Sequence, residues 1–353
     1  MNENLNESES LTAQPATPTF EAATRPSEIR QLFFGSDGLR PAWAFVSYVL
    51  MFYPLQLGMS WIASRVTFPR GPGLWSLPLG EFAVLVAAII PALGMGRIER
   101  RSWGSFGLPV QSAFGRLFWV GAVWGFAAIS LLMIALYGAR AFDFGHLALH
   151  GLRVVKFALF WALMFVIVGL FEEFMLRGYS QNALARAIGF WPAAIALSAV
   201  FGLIHLGNAG ESPVGLFAAA TIGLFFALTL RRTGNLWFAV GFHASWDWGE
   251  TFFYSVPDSG GIFPGHLLAS SFHGPKWLTG GPTGPEGSVL CFVVVGAAWI
   301  AFQSAYPEVR WSAGSDERAC DALNTSRNSR FLDLARLPVN GQPYSARNDK
   351  GWI

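Results

Sequence analysis

The chain has 353 residues, of which 53% are apolar and only 13% charged, about half the ~25% charged share of an ordinary soluble domain. Mean hydropathy is +0.40, which argues against both a disordered chain and a soluble enzyme with a charged surface. A net charge of +2 carries no strong basic field, so nucleic acid is not an expected partner.

Residues 1–38 are rich in Glu, Ser, Thr, Asn and Pro without apolar periodicity and read as a disordered tail. The first long apolar run starts too far from Met1 for a signal peptide. Eight stretches nearly free of Asp, Glu, Lys and Arg follow, at 42–64, 82–96, 117–139, 157–171, 187–204, 214–230, 235–253 and 289–305. A spanning helix needs about 20 mostly apolar residues. The longer runs reach that outright, and the shorter ones do once their ends are extended. The segment 255–288 is crowded with Gly and Pro and cannot be helical throughout; its His266 and His273 read as ordinary loop residues. Cys291 lies in an apolar run and Cys320 in a polar one, so neither a disulfide framework nor a Cys-based zinc site is expected. Residues 307–353 are again polar, with a short helix expected around 331–337.

The expected fold class is therefore all-α: a polytopic transmembrane bundle of about eight helices at 39–306, flanked by disordered polar tails at 1–38 and 307–353. Arg97, Arg100, Arg101, Arg116, Arg177, Arg186, Arg231 and Arg232 fall on one side of such a bundle, with Arg25, Arg30 and Arg40. The positive-inside rule then places both termini in the cytoplasm, although Arg140, Arg153 and Lys156 oppose it. Arg outnumbers Lys by 21 to 3, a composition that suggests a bacterial host and hence the bacterial inner membrane.

Ionisable residues inside spanning helices cost roughly 2.5–3.5 kcal/mol each on insertion scales and mark function by default. The first group is Phe171-Glu172-Glu173-Phe174-Met175-Leu176-Arg177. Glu173 and Arg177 are four apart and share a helix face, so they can neutralise each other. Glu172 is left over, and a carboxylate in apolar surroundings can serve as general base or acid. In the second group, Phe201 to His205, the histidine closes an apolar run, and Asn208 would share its face if the helix continues. Glu172 and His205 are equidistant from a point between Ile188 and Gly189, so a hairpin turning there brings them to similar depth. In the third group His243 and Asp247 are again four apart, and the aspartate can fix the imidazole tautomer. Glu250, three residues past Asp247, can join that polar face but is expected rather at the interface, and Trp246 and Trp248 read as lipid-facing or interfacial-belt aromatics.

Together these groups suit water activation and oxyanion stabilisation in peptide hydrolysis, or a His/His/carboxylate metal site. The sequence holds no H-E-x-x-H, G-x-S-x-G, Walker A or dinucleotide-binding pattern. Proton or ion relay in a transporter is the competing reading, although no internal repeat supports it. A non-catalytic membrane scaffold is a third.

The order E-E-x-x-x-R, F-x-x-x-H, H-x-x-x-D resembles the CPBP family of intramembrane proteases, which includes the type II CAAX prenyl endopeptidases and the bacterial Abi and bacteriocin-immunity proteins. The resemblance covers about 117–305, most specifically 171–250. It implies an eight-helix fold with the site in a cavity within the bilayer, and a peptide or protein substrate at the membrane. By the resemblance, Glu172 activates water, His205 helps to hold it, Glu173 and Arg177 support them, and His243 serves the oxyanion. Asp247 stands where the eukaryotic CAAX proteases have Asn. An ionised Asp cannot donate a hydrogen bond, which points it toward orienting His243 or binding metal. A divalent metal such as zinc on Glu172, His205, His243 and Asp247 stays open, as does a glutamate-dependent reaction without one.

Overall fold

The computed structural model describes residues 28–35, 38–67 and 73–312. The expectations for residues 1–27 and 313–353, including the helix at 331–337 and Cys320, lie outside the described residues. The chain divides into two units, Met1–Arg40 and Pro41–Ile353. In the first, helix α1 (Glu28–Phe33) leads into strands β1 (Phe34–Gly35) and β2 (Gly38–Leu39), which pair antiparallel. Composition alone did not mark this short element.

The second unit is helical. Its elements are α2 (Pro41–Thr67), α3 (Ser76–Glu99), α4 (Arg116–Gly138), α5 (Leu152–Glu173), α6 (Gln181–Ile188), α7 (Phe190–Ile204), α8 (Pro213–Thr233), α9 (Trp237–Trp248), α10 (Lys276–Thr279) and α11 (Val289–Ala305). Each of the eight apolar runs is largely helical, the run at 187–204 being interrupted at Gly189. Among the described residues, six helices are long and apolar enough to cross a membrane, with the 37 residues from Leu152 to Ile188 as one of them. The run at 289–305 makes a shorter helix of 17 residues. The run at 235–253 makes α9 and a π-helical extension, Gly249–Tyr254. Helices suit apolar surroundings because they satisfy their own backbone groups.

Backbone contact at small residues builds the interior. On α4, Gly121 and Gly125 lie against the carbonyls of Phe238 and Phe242, and Gly241 of α9 lies against that of Phe118; a Cβ at any of the three would collide with backbone. This is the small-xxx-small device that lets two apolar helices approach closely. On the opposite flank Gly169 of α5 meets Val240 and His243. With α4, α5 and α8 around it, α9 is buried along almost its whole length.

That position corrects two expectations. Trp246 does not face lipid: it is buried and stacks on Phe242. Trp248 is half-buried, and its Nε1 donates to the Ala158 carbonyl at 3.0 Å. Both follow from α9 being central rather than peripheral.

Between α5 and α6 the chain passes through a π-helical stretch, Phe174–Ser180, in which Gly178 leaves helical geometry (ψ −113°). Ser180 Oγ donates to the Met175 carbonyl at 2.6 Å, one residue further back than an α-turn allows. Gly189 then reverses the chain at φ +90°, a conformation that favours glycine, and Gln181 Nε2 closes the turn on the Phe190 carbonyl at 3.1 Å. The hairpin thus turns where the spacing of Glu172 and His205 placed it. Residues 255–288 form tight turns, the short α10 and strand β4 (Ser271–Phe272), which pairs with β3 (Phe142–Asp143).

Candidate active site

Glu172 and Glu173 end α5, where the helix widens into its π-helical stretch, a feature frequent at functional sites. Adjacent positions send the two carboxylates in different directions. Glu173 is fully buried; its Oε1 accepts from Arg177 Nη1 at 3.0 Å and from His243 Nδ1 at 3.1 Å. Arg177 is also buried, with its guanidinium over the Phe201 ring at 4.5 Å and near Phe226 at 5.9 Å, a favourable placement for a desolvated cation. Gly223 of α8 makes room for it, since a Cβ there would strike Arg177 Nη2.

A carboxylate can only accept, so Glu173 makes His243 Nδ1 the donor and fixes the ring. His243 Nε2 then faces Glu172 Oε2 at 3.5 Å and Asp247 Oδ2 at 3.4 Å. The ring lies nearly parallel to Phe226, with centroids 5.5 Å apart. Glu173 therefore sets the orientation that the i,i+4 spacing suggested for Asp247, and Asp247 meets the other ring nitrogen.

His205 closes α7 and is half-buried. Its Nδ1 lies 2.7 Å from the Phe201 carbonyl, which can only accept, so Nδ1 carries the hydrogen and Nε2 keeps its lone pair in the neutral ring. Phe201 thus serves both histidines: its carbonyl holds His205, and its ring stands edge-on to His205 at 4.8 Å and to His243 at 6.2 Å. The α-helix does not continue to Asn208; His205–Gly207 tighten into a 3₁₀ turn, and Asn208 Nδ2 donates to the Ser259 carbonyl at 2.9 Å.

Glu172, His205, His243 and Asp247 line one cavity of about 200 Å³. Glu81, Asn208, Asp258, Ser259 and Glu286 also line it. Glu81 carries no sequence signal of this position, because it stands one residue before the apolar run that begins at Phe82. Asp258 and Glu286 sit in the Gly/Pro-rich loop, where no periodicity marks a direction. Enclosure raises the Asp258 carboxyl well above the ordinary carboxylate range, and Asp247 and Glu286 add to the shift. Glu250 is not interfacial as expected but fully buried, because the π-helical turn after α9 carries it inward. A second, more apolar groove of about 680 Å³ runs between α2 and α7, lined by Phe45, Tyr48, Leu50, Tyr53 and Ile204, and reaches Glu172 and His205.

Tetrahedral zinc holds its ligand atoms roughly 3.3 Å apart. The His243 pairs approach that spacing. Even so, the donors of Glu172, His205, His243 and Asp247 do not gather as a group of three within 4.8 Å of one another. As arranged, the set does not fit a three-ligand zinc centre.

Residues 154–249 match the family model described as Type II CAAX prenyl endopeptidase Rce1-like. The matched segment runs from α5 to the end of α9 and contains Glu172, Glu173, Arg177, His205, His243 and Asp247. No curated protein and no solved structure matches the chain. The apolar helices and this segment together describe an integral, multi-pass membrane protein. The Rce1-like segment supports a CAAX-type protease in general terms.

Proposed function

We propose that the chain is an intramembrane endopeptidase that hydrolyses a peptide bond of a membrane-associated or lipidated peptide or protein. The observation that carries this reading is the shared cavity: Glu172 and His205, from the two arms of one hairpin, open onto the same space as His243 and Asp247. Glu172 takes a proton from a water whose other hydrogen is held by His205 Nε2. The hydroxide attacks the scissile carbonyl carbon. Protonated His243, oriented by Glu173, donates Nε2–H to the developing oxyanion, with Asp247 balancing its charge. Glu172 then delivers its proton to the leaving amide nitrogen, the C–N bond breaks, and a carboxylic acid and an amine result. The groove between α2 and α7 offers an apolar substrate chain a path from lipid to Glu172. In this reading the protein lies in a bacterial inner membrane with both termini cytoplasmic.

Comparative proteomics of membrane fractions from cells carrying the wild type or Glu172→Ala tests the reading. A substrate processed in the wild type should accumulate uncleaved in the variant. Identical processing in both strains rules the assignment out.

A further inference from the structure

Beside the catalytic cavity, three further carboxylates converge. Glu250, Asp258 and Glu286 each bring one carboxylate oxygen within 4.8 Å of the others. They come from three separate pieces of chain: the π-helical turn after α9, the turn at Asp258–Gly261, and the 3₁₀ turn Pro285–Gly287. Two of the three are held from behind. Thr251 Oγ1 donates to Asp258 Oδ2 at 3.0 Å, and Ser259 donates to Glu286 Oε2 through Oγ at 2.7 Å and through its backbone N–H at 3.2 Å. Among the described residues, the other oxygens of Asp258 and Glu286 accept no hydrogen bond. The loop is braced where these turns meet: Gly260 N–H donates to the Thr283 carbonyl at 2.9 Å, and a Cβ at Gly284 would collide with the Pro257 carbonyl.

An acidic cluster alone need not bind anything. Here Glu250 supplies a second, independent observation. Its side chain is 0% exposed, and neither Oε1 nor Oε2 has a hydrogen-bond partner, yet it is aimed at two other carboxylates. A buried carboxyl with both oxygens unsatisfied is costly and calls for a partner. We propose that Glu250, Asp258 and Glu286 bind a hard divalent cation of the Ca²⁺ class. The donors are all oxygens, which suit Ca²⁺ or Mg²⁺ rather than zinc. Three converging protein carboxylates suit Ca²⁺, which takes 6–8 oxygen ligands in flexible geometry, better than Mg²⁺, which is usually held by one or two carboxylates and keeps its waters. Because Asp258 and Glu286 also line the catalytic cavity, the ion pins the 255–288 loop to the end of α9 and holds that wall in place. The site is separate from the zinc set weighed above and does not depend on the protein being a protease.

Calorimetric titration of Ca²⁺ into the full chain in nanodiscs, after chelator treatment and dialysis, tests this. The wild type and Glu172→Gln should both bind Ca²⁺ saturably at submillimolar concentration. Glu250→Gln and Asp258→Asn should each weaken binding by about tenfold or more. If Glu250→Gln does not purify as a single species, Asp258→Asn carries the comparison. Absence of saturable binding by the wild type up to ~10 mM overturns the proposal. So does binding lost in Glu172→Gln, or left unweakened by the loop substitutions.

Discussion

Glu173 joins Arg177 to His243, and that junction gives residue-level outcomes that differ from one position to the next. Substituting Arg177 with Met leaves a buried carboxylate without its main counter-charge. Breaking one side of a buried ion pair costs about 3–5 kcal/mol, so Arg177→Met should lower the thermal unfolding midpoint in detergent markedly; an unchanged midpoint contradicts the pairing. Gly223→Val acts on the same guanidinium from α8, because any Cβ there strikes Arg177 Nη2. It should reduce activity even though residue 223 touches no substrate. His205 behaves differently. Its Nδ1 is engaged by a backbone carbonyl that a mutation at Phe201 does not remove, so Phe201→Leu should keep the tautomer while losing the ring packing on Arg177 and His243. The expected phenotype is reduced stability with residual turnover, read from unfolding and cleavage assays on the same preparation.

At the scale of elements, the α4–α9 contact decides where His243 and Asp247 stand. Gly125→Val would force α9 away from α4, because the added side chain meets the Phe242 carbonyl. Overpacking of this kind costs typically about 1–3 kcal/mol. Gly94→Ala is the matched control, with nothing within 4 Å of its Cβ; it should stay within about 1 kcal/mol of wild type, in the stabilising direction. Equal thermal midpoints for the two variants would sink the packing argument. The same elements show what the sequence made legible. Eight helical runs, the hairpin at Gly189 and the i,i+4 pairing of Glu173 with Arg177 could be read because spacing and charge encode them locally. The depth of each helix could not. Lipid tails are as apolar as leucine, so an apolar run reads the same against lipid and against protein. Trp246 and Glu250 therefore lie deeper than their sequence context suggests. Glu81, Asp258 and Glu286 carry no such local signal, because they border a run or sit in a loop without periodicity. The Gly121-x-x-x-Gly125 spacing was a visible clue to the buried interface.

For the molecule as a whole, the arginine distribution and the two cysteines make orientation testable with native residues. Cys291 is buried, whereas Cys320 lies in the polar C-terminal stretch. With both termini cytoplasmic, a membrane-impermeant maleimide should label Cys320 in inverted vesicles and not in intact spheroplasts; the opposite pattern reverses the topology. The central claim is that Glu172 and His205 act together on one water. Its most direct test is single-turnover cleavage of an identified substrate by purified protein in proteoliposomes, comparing the wild type with Glu172→Gln and His205→Ala. General-base catalysis contributes about 10²–10⁴-fold. Each substitution should therefore slow cleavage by at least ~10²-fold, and the double variant by little more than either alone, because the two residues serve the same step. Cleavage by folded Glu172→Gln within a few-fold of wild type would contradict the claim.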